Sequence, residues 1–299
     1  MKDQICCLIL NYNDYMETVG CVDHLIQLDG DGKLQIVVVD NNSTNDSYER
    51  LKDKYNNNSR ITLIQSATNG GYSAGNNIGF KYIAKNFPNI KFTILMNPDT
   101  RLYSMEDVKK MEMVLMHDAT LAIVAPIVIL NGEVNYKNTA WNAPTTSQIL
   151  RLHCKFLKYS TKQYVNEASN GIVYVDAVQG GFFAIRMKAL VDIGFLDESI
   201  FLYSEEVLLS RDLSAAGYRE AVLTDVFFDH NHKNYEKKTK LSIRFNQEKN
   251  AYKSRKVYSK KYLGKTACWL LKVVHVANNI YIIITHPIIK LIIERKDQK

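Results

Sequence analysis

Short apolar runs alternate with amphipathic stretches along the first hundred residues of the chain. The runs have the length and continuity of strands that are buried on both faces, as in a parallel sheet. Between them, apolar residues recur at spacings of three and four, which is typical of helices. The predicted strands are Ile5–Leu10, Leu34–Val39, Ile61–Ile64 and Phe92–Met96, and the predicted helices are Tyr15–Leu28, Tyr48–Tyr55 and Asn76–Lys85. This alternation predicts an α/β fold with a doubly wound, mostly parallel sheet.

The pattern continues less regularly beyond residue 100. No period is convincing between Asn131 and Asn170. The predicted strands in this half are Ala122–Leu130, Ile172–Val178, Phe182–Ile185 and Glu220–Phe228, and the predicted helices are Met105–His117, Met187–Ile193 and Ser204–Ala216. We therefore expect one α/β domain over residues 1–235, followed by a tail of a different kind.

The tail, residues 236–299, combines a basic helix with an apolar one. Leu241–Leu263 can form a single basic amphipathic helix, and Cys268–Ile293 is strongly apolar but interrupted by histidines, asparagines and a proline. A membrane-spanning helix needs about 20 mostly apolar residues. The interruptions therefore favour a segment that lies in the membrane interface. The alternative is a helix pair that packs on the protein's own sheet.

The charge distribution supports an anionic surface as partner of the tail. The 299 residues are 46% hydrophobic and 23% charged, an ordinary globular composition with enough apolar mass for a sizeable core. The formal net charge is +7, but the excess is concentrated between Lys237 and Lys265, where Glu248 is the only acid. A local excess of this kind indicates an anionic partner for the carboxyl-terminal end alone.

The cysteine pattern indicates a reducing compartment. The number of cysteines is odd, and their spacing fits neither a zinc site nor a disulfide framework. They are Cys6, Cys7, Cys21, Cys154 and Cys268. Residues 1–4 lead directly into a predicted strand, without the features of a signal peptide. We therefore expect reduced cysteines in a cytoplasmic protein.

Three predicted strands end in polar side chains. They are followed by Asn11-Tyr12-Asn13, Asp40-Asn41-Asn42 and Asn97-Pro98-Asp99. The carboxyl ends of parallel strands share one edge of the sheet, so these groups are expected in a single crevice. A lone carboxylate beside an amide oxygen suits Mg²⁺, which takes one or two carboxylates together with substrate phosphates. The alternative for Asp99 is a turn that ends the strand, and the alternative for Asp40 is capping of its own loop.

Two further stretches carry candidate chemistry. Asn69–Asn77 is rich in glycine and opens a helix, so its backbone can approach a ligand closely. No G-x-G-x-x-G follows the first strand and no G-K-[ST] occurs, which argues against dinucleotide and P-loop sites. Glu205 and Glu206 are paired at a predicted helix start, either as catalytic acids or as complements of the helix dipole.

Seven motifs, taken in order over roughly residues 4–232, resemble one known family. They are Asn11-Tyr12-Asn13, Val38–Thr44, Asn69–Asn77, Leu95–Thr100, Gly180–Arg186, Gly194–Glu198 and Phe201–Glu206. The chain is similar to the family 2 inverting glycosyltransferases, particularly the rhamnosyltransferase-like branch of bacterial cell-surface polysaccharide synthesis. This resemblance implies a GT-A fold, a nucleotide-diphospho-sugar donor and a divalent metal, Mg²⁺ or Mn²⁺.

The resemblance also implies roles for individual residues. Glu206 matches the general base, with Glu205 the next candidate, and Asp99 matches the metal-binding acid. Asp40 matches the acid that contacts the nucleoside. A histidine near the metal and diphosphate is either His230 or His232. The remaining implied substrate-binding residues are Asn11, Tyr12, Asn42, Asn69, Gly71, Asn76, Asn97, Gly180 and Gly181.

These inferences predict a hexosyltransferase that is peripheral on the inner face of a bacterial membrane. Residues 1–100 would bind a UDP- or dTDP-sugar, and residues 101–235 would face a lipid-linked glycan acceptor. Rhamnose is one candidate for the transferred sugar, and no nucleic acid is expected as a partner. One rival is a nucleotidyltransferase, which needs a basic glycine-rich loop where this chain has Asn11–Asp14. The other is a non-catalytic carbohydrate-binding relative, which would not need Asp99 and Glu206.

Overall fold

The computed structural model of the protein describes residues 5–157, 159–163, 165, 171–230 and 241–297. Two compact units divide the chain. The first comprises Met1–Ala143, Lys162–Glu198 and Glu205–His232, and the second comprises Pro144–Thr161, Ser199–Ser204 and Lys233–Lys299. The second unit therefore also takes in two segments from the sequence that was predicted to be one α/β domain.

The amino-terminal half of the first unit is the predicted β-α alternation. Its strands are β1 (Ile5–Asn11), β2 (Leu34–Asp40), β3 (Ile61–Gln65) and β4 (Phe92–Met96), and its helices are α1 (Tyr15–Leu28), α2 (Ser47–Tyr55) and α3 (Tyr72–Asn86). The four strands are parallel, in the order β4-β1-β2-β3. β4 ends shortly before Pro98, which has no N–H to donate to a neighbouring strand.

Helix α3 begins four residues earlier than the sequence pattern predicted. Gly75 and Gly79 lie inside it, and because glycine is a weak helix former, the pattern did not reveal the first turn. A Cβ on Gly75 would lie 2.6 Å from Leu10 Cδ1. Part of the glycine-rich stretch therefore serves close packing of α3 against β1.

The second half of the first unit completes a mixed sheet. In chain order the elements are β5 (Thr100–Leu102), α4 (Met105–His117), β6 (Leu121–Leu130), β7 (Glu133–Val134), β8 (Ala140–Trp141), α5 (Thr146–His153, in the second unit), β9 (Lys162–Gln163), β10 (Ile172–Val175), β11 (Ala177–Val178), β12 (Phe182–Arg186), α6 (Met187–Asp192), α7 (Glu205–Ala215) and β13 (Arg219–His230). The sheet order is β10-β13-β6-β12-β4-β1-β2-β3. β12 is antiparallel to both β4 and β6.

The prediction of one strand over Ile172–Val178 is wrong. The chain breaks at Asp176 into β10, which pairs with β13, and β11, which pairs with β8 in a separate small sheet. Asp176 Oδ2 accepts a hydrogen bond from the Ala143 N–H at 2.9 Å. The sequence did not reveal this break, because a continuous apolar run carries no information about the sheet in which each of its residues pairs.

The core of the first unit lies on both faces of the large sheet. Along β1, Cys7 and Ile9 join one apolar cluster, and Cys6 and Leu8 join the other. All four side chains are fully buried. This double burial is why β1 reads as a continuous apolar run rather than an alternating one.

The regular elements described in the second unit are helices. It contains α5, α8 (Leu241–Tyr258), a π-helical turn (Ser259–Leu263) and α9 (Lys265–Asp297). The predicted helix over Leu241–Leu263 is thus α8 and the π-helical turn together. Gly264, with φ of 89°, follows the turn, and such a conformation is accessible to glycine at little cost. Helix α9 packs against α5 and α8. The alternative of a helix pair packed on the protein's own sheet stays a prediction.

Candidate functional site

The carboxyl ends of β1, β2 and β4 lie side by side, as expected for neighbouring parallel strands. Asp40 at the end of β2 is fully buried. Its carboxylate accepts hydrogen bonds from Asn11 Nδ2 at 2.6 Å, Ser43 Oγ at 2.6 Å and the Ser43 N–H at 2.9 Å. These bonds are the loop capping that the sequence left open for Asp40. Its contact with a nucleoside stays a prediction.

The loops after β1 and β2 present the predicted polar residues at this edge. Tyr12 is 44% exposed, so its ring is accessible to a ligand. Asn42 has φ of 58°, a left-handed conformation that asparagine adopts more readily than most residues. The Asn13 N–H donates to Ser43 Oγ at 2.9 Å, which joins the two loops.

The loop that opens α3 is held by its own amides. Asn69 Oδ1 accepts hydrogen bonds from the Gly71 N–H at 3.1 Å and from Asn41 Nδ2 at 3.0 Å. Asn76 is fully buried, and its Nδ2 donates to the Tyr72 carbonyl at 3.0 Å. The amides of Asn69 and Asn76 therefore shape the loop.

The turn Gly180-Gly181, between β11 and β12, packs against the predicted base and against the predicted histidine. A Cβ on Gly180 would lie 2.9 Å from Glu206 Oε1, and a Cβ on Gly181 would lie 2.8 Å from His230 Cε1. The Gly181 carbonyl accepts a hydrogen bond from the Asn97 N–H at 2.8 Å, which joins the turn to the end of β4. Only glycine allows both approaches without displacing a neighbour.

Glu206 has the surroundings of a tuned carboxylate. It lies in the first turn of α7, next to Glu205. Burial raises the pKa of Glu206, although hydrogen bonds from its own N–H and from the Gly180 N–H oppose the shift. The Tyr72 hydroxyl donates to the Gly180 carbonyl at 2.9 Å and braces the same turn. A raised pKa makes the Glu206 carboxylate a stronger proton acceptor at neutral pH.

Asp99 and His230 are brought together by strand pairing. β13 pairs with β5, and His230 lies opposite Thr100, the residue after Asp99. His230 Nε2 lies 3.4 Å from Asp99 Oδ1. A carboxylate oxygen and an imidazole nitrogen so close together are a donor set that suits Mn²⁺. His232, the other candidate, lies outside the described residues.

The contact between Gln179 and His230 tests whether the pair of His230 and Asp99 fits a metal. Gln179 Nε2 lies 2.8 Å from His230 Nδ1, and Gln179 Oε1 is buried without a hydrogen-bond partner in the part of the chain that the structure describes. The two ends of a side-chain amide are assigned from their hydrogen-bond partners, so the exchanged orientation is equally compatible with the atom positions. Turning the amide by half a rotation lets Oε1 accept from Nδ1–H, and the Nε2 lone pair then faces the side of Asp99. A metal-bound histidine usually donates its other N–H to such an oxygen. The residues present therefore fit a divalent metal held by Asp99 and His230.

A second group of potential ligands lies in the second unit. His153, Glu248 and His275 place nitrogen and oxygen atoms within 4.8 Å of one another. Arg255 Nη1 donates to His153 Nδ1 at 2.8 Å, which places the imidazole proton on Nε2, facing Glu248. Burial lowers the pKa of His153 to about 4, so the ring is neutral at pH 7. Because Nε2 carries the proton and the Nδ1 lone pair accepts from Arg255, His153 has no lone pair for a metal in this arrangement, and the group forms a polar network instead.

The sequence reasoning missed three residues of the site. Gln179 adjoins one recognised glycine motif and Tyr72 lies inside another, so their position was the available signal. Glu220 was hidden in a predicted strand, where a charge at the start of an apolar run was the signal. It is 2% exposed, and its Oε2 accepts a hydrogen bond from the Val178 N–H at 2.8 Å.

Substitution Gly180→Ala is expected to lower kcat by about 10²-fold, because a misplacement of about 1 Å at a reacting group can cost that much. The new Cβ would contact Glu206 and move its carboxylate. Steady-state kinetics measure this effect. Gly30→Ala is the matched control, since no atom lies within 4 Å of a Cβ at Gly30. Equal kcat values for the two variants would show that the position of Glu206 does not matter for turnover.

Glu220 gives the fold a pH dependence. Burial raises the pKa of Glu220 to about 8, and the negative charges of Glu206 and Asp176 add to the shift against the opposing Val178 hydrogen bond. The folded protein therefore holds a proton that the unfolded chain releases near pH 4.5. Stability should then fall as pH rises from about 4.5 to 8.

We expect Glu220→Gln to raise the free energy of unfolding at pH 8 by an amount on the order of 4 kcal/mol. At pH 5 the same substitution should change the free energy of unfolding little. The amide keeps an acceptor for Val178 and carries no charge. Urea unfolding at both pH values measures the difference. Glu133→Gln, at an exposed position, serves as the control. An effect that does not depend on pH would mean that Glu220 is ionised throughout.

Solved structures with the same arrangement identify the fold as GT-A. GalNAc-T7, solved with UDP, GalNAc and Mn²⁺, has a TM-score of 0.61 and 14% identity over 90% of this chain and 56% of its own. The mannosyltransferase PcManGT from Pyrobaculum calidifontis, solved with GDP-Man and Mn²⁺, has a TM-score of 0.58 and 15% identity over 96% and 72%. TarS from S. aureus with UDP-GlcNAc has a TM-score of 0.55 and 16% identity over 85% and 66%.

The sequence places the chain within that fold. The model of glycosyl transferase family 2 matches residues 6–193, and the chain belongs to this family. The low-salt glycan biosynthesis hexosyltransferase Agl10 of Haloferax volcanii is 27% identical over 208 residues. The match covers 69% of this chain and 60% of that relative, so the chain spans less than two thirds of the relative's length.

Proposed function

We propose that the protein is a metal-dependent inverting glycosyltransferase that uses a nucleotide-diphospho-sugar. The observation that carries the proposal is the Gly180-Gly181 turn, which packs against Glu206 on one side and His230 on the other. His230 in turn lies 3.4 Å from Asp99. A base candidate and a metal-binding pair thus meet at one turn, at the edge where open α/β sheets bind ligands.

The residues take complementary roles in this reaction. Inversion is a single displacement at the anomeric carbon, so one base must take the proton of the acceptor hydroxyl. Glu206 accepts that proton. Asp99 and His230 would hold the metal, which would supply positive charge to offset the negative charge of the diphosphate leaving group. Gly180 and Gly181 let the turn approach Glu206 and His230 closely without displacing either side chain.

The donor is proposed to be a UDP- or dTDP-sugar, with rhamnose among the candidate sugars. GalNAc-T7 and TarS were solved with UDP or UDP-GlcNAc, and PcManGT was solved with GDP-Man. Two of these relatives also carry Mn²⁺. Their ligands support a nucleotide-sugar donor and a divalent metal for this protein. The nucleobase of the donor and the transferred sugar are to be determined by measurement.

The acceptor is proposed to be a lipid-linked glycan of the cell surface, used at the inner face of a bacterial membrane. Agl10 is named for glycan biosynthesis, which supports this class of acceptor. A membrane-bound acceptor also gives a purpose to the basic and apolar helices of the carboxyl-terminal tail. The tail is therefore proposed to hold the enzyme peripherally on the membrane.

The test is a panel of UDP-, dTDP- and GDP-sugars, each with Mn²⁺, Mg²⁺ or EDTA. We expect slow, metal-dependent hydrolysis of one donor, with NMR showing inverted configuration at the released anomeric carbon. Release of pyrophosphate from a nucleoside triphosphate and a sugar 1-phosphate would instead identify a nucleotidyltransferase. Sugar binding without turnover of any donor would identify a non-catalytic relative.

A further inference from the structure

Helix α9 exposes an apolar stripe. Its members recur at spacings of three and four, which places them on one face of the helix. They are Trp269, Val273, Val276, Ile280, Ile283 and Ile284, each between 52% and 64% exposed. The stripe is about 22 Å long at 1.5 Å per residue. A helix at the surface of a soluble protein shows the opposite pattern, with its apolar face turned inward.

The opposite face of α9 is bound within the second unit through both apolar and polar side chains, with Leu271 and Ile282 buried beside Asn278. Asn278 is fully buried, and its Nδ2 donates to Glu248 Oε1 at 2.9 Å and to the His153 carbonyl at 2.7 Å. The Lys155 N–H donates to Asn278 Oδ1 at 3.0 Å. His275 Nδ1 lies 3.0 Å from Glu248 Oε1. These contacts attach the middle of α9 to α5 and α8.

The polar contacts of α9 with α5 and α8 distinguish a helix that crosses the membrane from one that lies along its surface. Within the described residues, α9 is long and apolar enough to cross a bilayer. A crossing helix with these contacts intact would carry Glu248, Lys155 and Arg255 into the hydrocarbon region, where ionised groups are costly. A helix that lies along the surface keeps them in water and inserts only its apolar stripe.

The charge of the second unit complements an anionic surface. The segments of this unit contain 20 lysines and arginines against four acidic residues. Several of the lysines lie at exposed positions on α8, the π-helical turn and α9. They are Lys249, Lys253, Lys256, Lys260, Lys265 and Lys272. Each basic residue near an anionic leaflet strengthens binding about fivefold.

We propose that α9 lies in the plane of an anionic membrane leaflet as a monotopic anchor, with the stripe from Trp269 to Ile284 inserted to the level of the acyl-chain boundary. The inference deepens, and rests on, the membrane location in the proposed function. Its test measures vesicle binding and insertion depth, whereas the proposed function is tested by donor hydrolysis. Failure of the membrane inference and failure of the proposed function can therefore be told apart.

The depth of three tryptophans along α9 distinguishes lying from spanning. Each variant of the full-length chain keeps one tryptophan, whose fluorescence reports the depth of its position. Trp141→Phe leaves Trp269 at the start of the stripe. Trp141→Phe and Trp269→Phe, combined with either Val276→Trp or Ile283→Trp, leave one tryptophan in the middle or near the far end. Vesicles of phosphatidylglycerol and phosphatidylcholine carry bromine at shallow or deep acyl positions. We expect equal, shallow quenching at all three sites, at a depth of about 5–10 Å. Deepest quenching at residue 276 would show a span and overturn the proposal.

A stripe variant tests the contact itself. Val276→Asp with Ile280→Asp should weaken vesicle binding by about 10²-fold, because the variant lacks two aliphatic side chains that the proposal buries in the membrane. The matched control is Met113→Asp with Met116→Asp, which places the same charges at exposed apolar residues of α4. Circular dichroism checks the fold of each variant.

The remaining outcomes count against the proposal. Equal vesicle binding by the stripe and control variants would assign the interaction to charge alone. A concentration-dependent dimer that the stripe variant abolishes, without vesicle binding by the parent chain, would make the stripe an interface between two copies. The tryptophan depths are measured on chains that keep the stripe apolar, so they decide the matter even if the aspartate variant unfolds.

Discussion

Substitution of Glu206 by Gln is expected to lower kcat by about 10²–10⁴-fold, the usual contribution of a general base. The amide keeps the shape of the side chain beside Gly180 but cannot take the proton of the acceptor hydroxyl. The base acts only in the transition state, so the affinity for the donor should change little. Steady-state kinetics for transfer, with donor binding measured by calorimetry, separate the two effects.

Glu205→Gln is the matched control for this substitution. Both carboxylates lie in the first turn of α7 and experience the same helix terminus. The Gly180 contact, however, belongs to Glu206. A general base contributes about 10²–10⁴-fold to kcat. If Glu205→Gln lowers kcat by that much and Glu206→Gln lowers it by less than about tenfold, Glu205 is the base instead.

Substitution of Asp99 by Asn is expected to weaken Mn²⁺ binding by at least about 10–100-fold, a range that even outer partners of metal ligands reach. The change removes the negative charge and keeps the size of the side chain beside His230. Titration calorimetry of Mn²⁺ in the presence of UDP measures the loss directly, without relying on turnover. Activity at limiting Mn²⁺ should fall with it.

Asp46→Asn provides the control, because its carboxylate is exposed and its side chain is 70% accessible. Thermal unfolding of both variants checks that the fold is intact. Unchanged Mn²⁺ affinity in Asp99→Asn would move the metal away from the end of β4. In that case the proximity of Asp99 and His230 would be a packing contact without a role in metal binding.

The elements of the amino-terminal half could be predicted because their signals are local. β1 is a continuous apolar run because both of its faces are buried, and α1 shows its period because one of its faces is buried. The polar residues Asn11, Asp40 and Asn97 follow such runs directly. Their shared edge then follows from the rule that parallel strands end together.

The rest of the candidate site depends on contacts between distant segments. The sequence indicated Asp99 and two histidines, but the pairing of β13 with β5 places His230 beside Asp99. The antiparallel insertion of β12 sets the Gly180-Gly181 turn at the end of β4. Gln179 was missed for this reason, since its importance comes from the residue that it touches.

By itself, the sequence determined the α/β class, the positions of most strands and helices, and the basic, apolar character of the tail. These properties depend on periodicity and composition, which are local. Only the tertiary structure decided that Glu206 and His230 meet at one glycine turn, and that α9 turns its apolar stripe outward. The physical reason is that strand order and the choice of buried face depend on the packing of the whole unit. Trp269 and Asn278 belong to the same helix, yet only the neighbours of α9 determine which of them faces water.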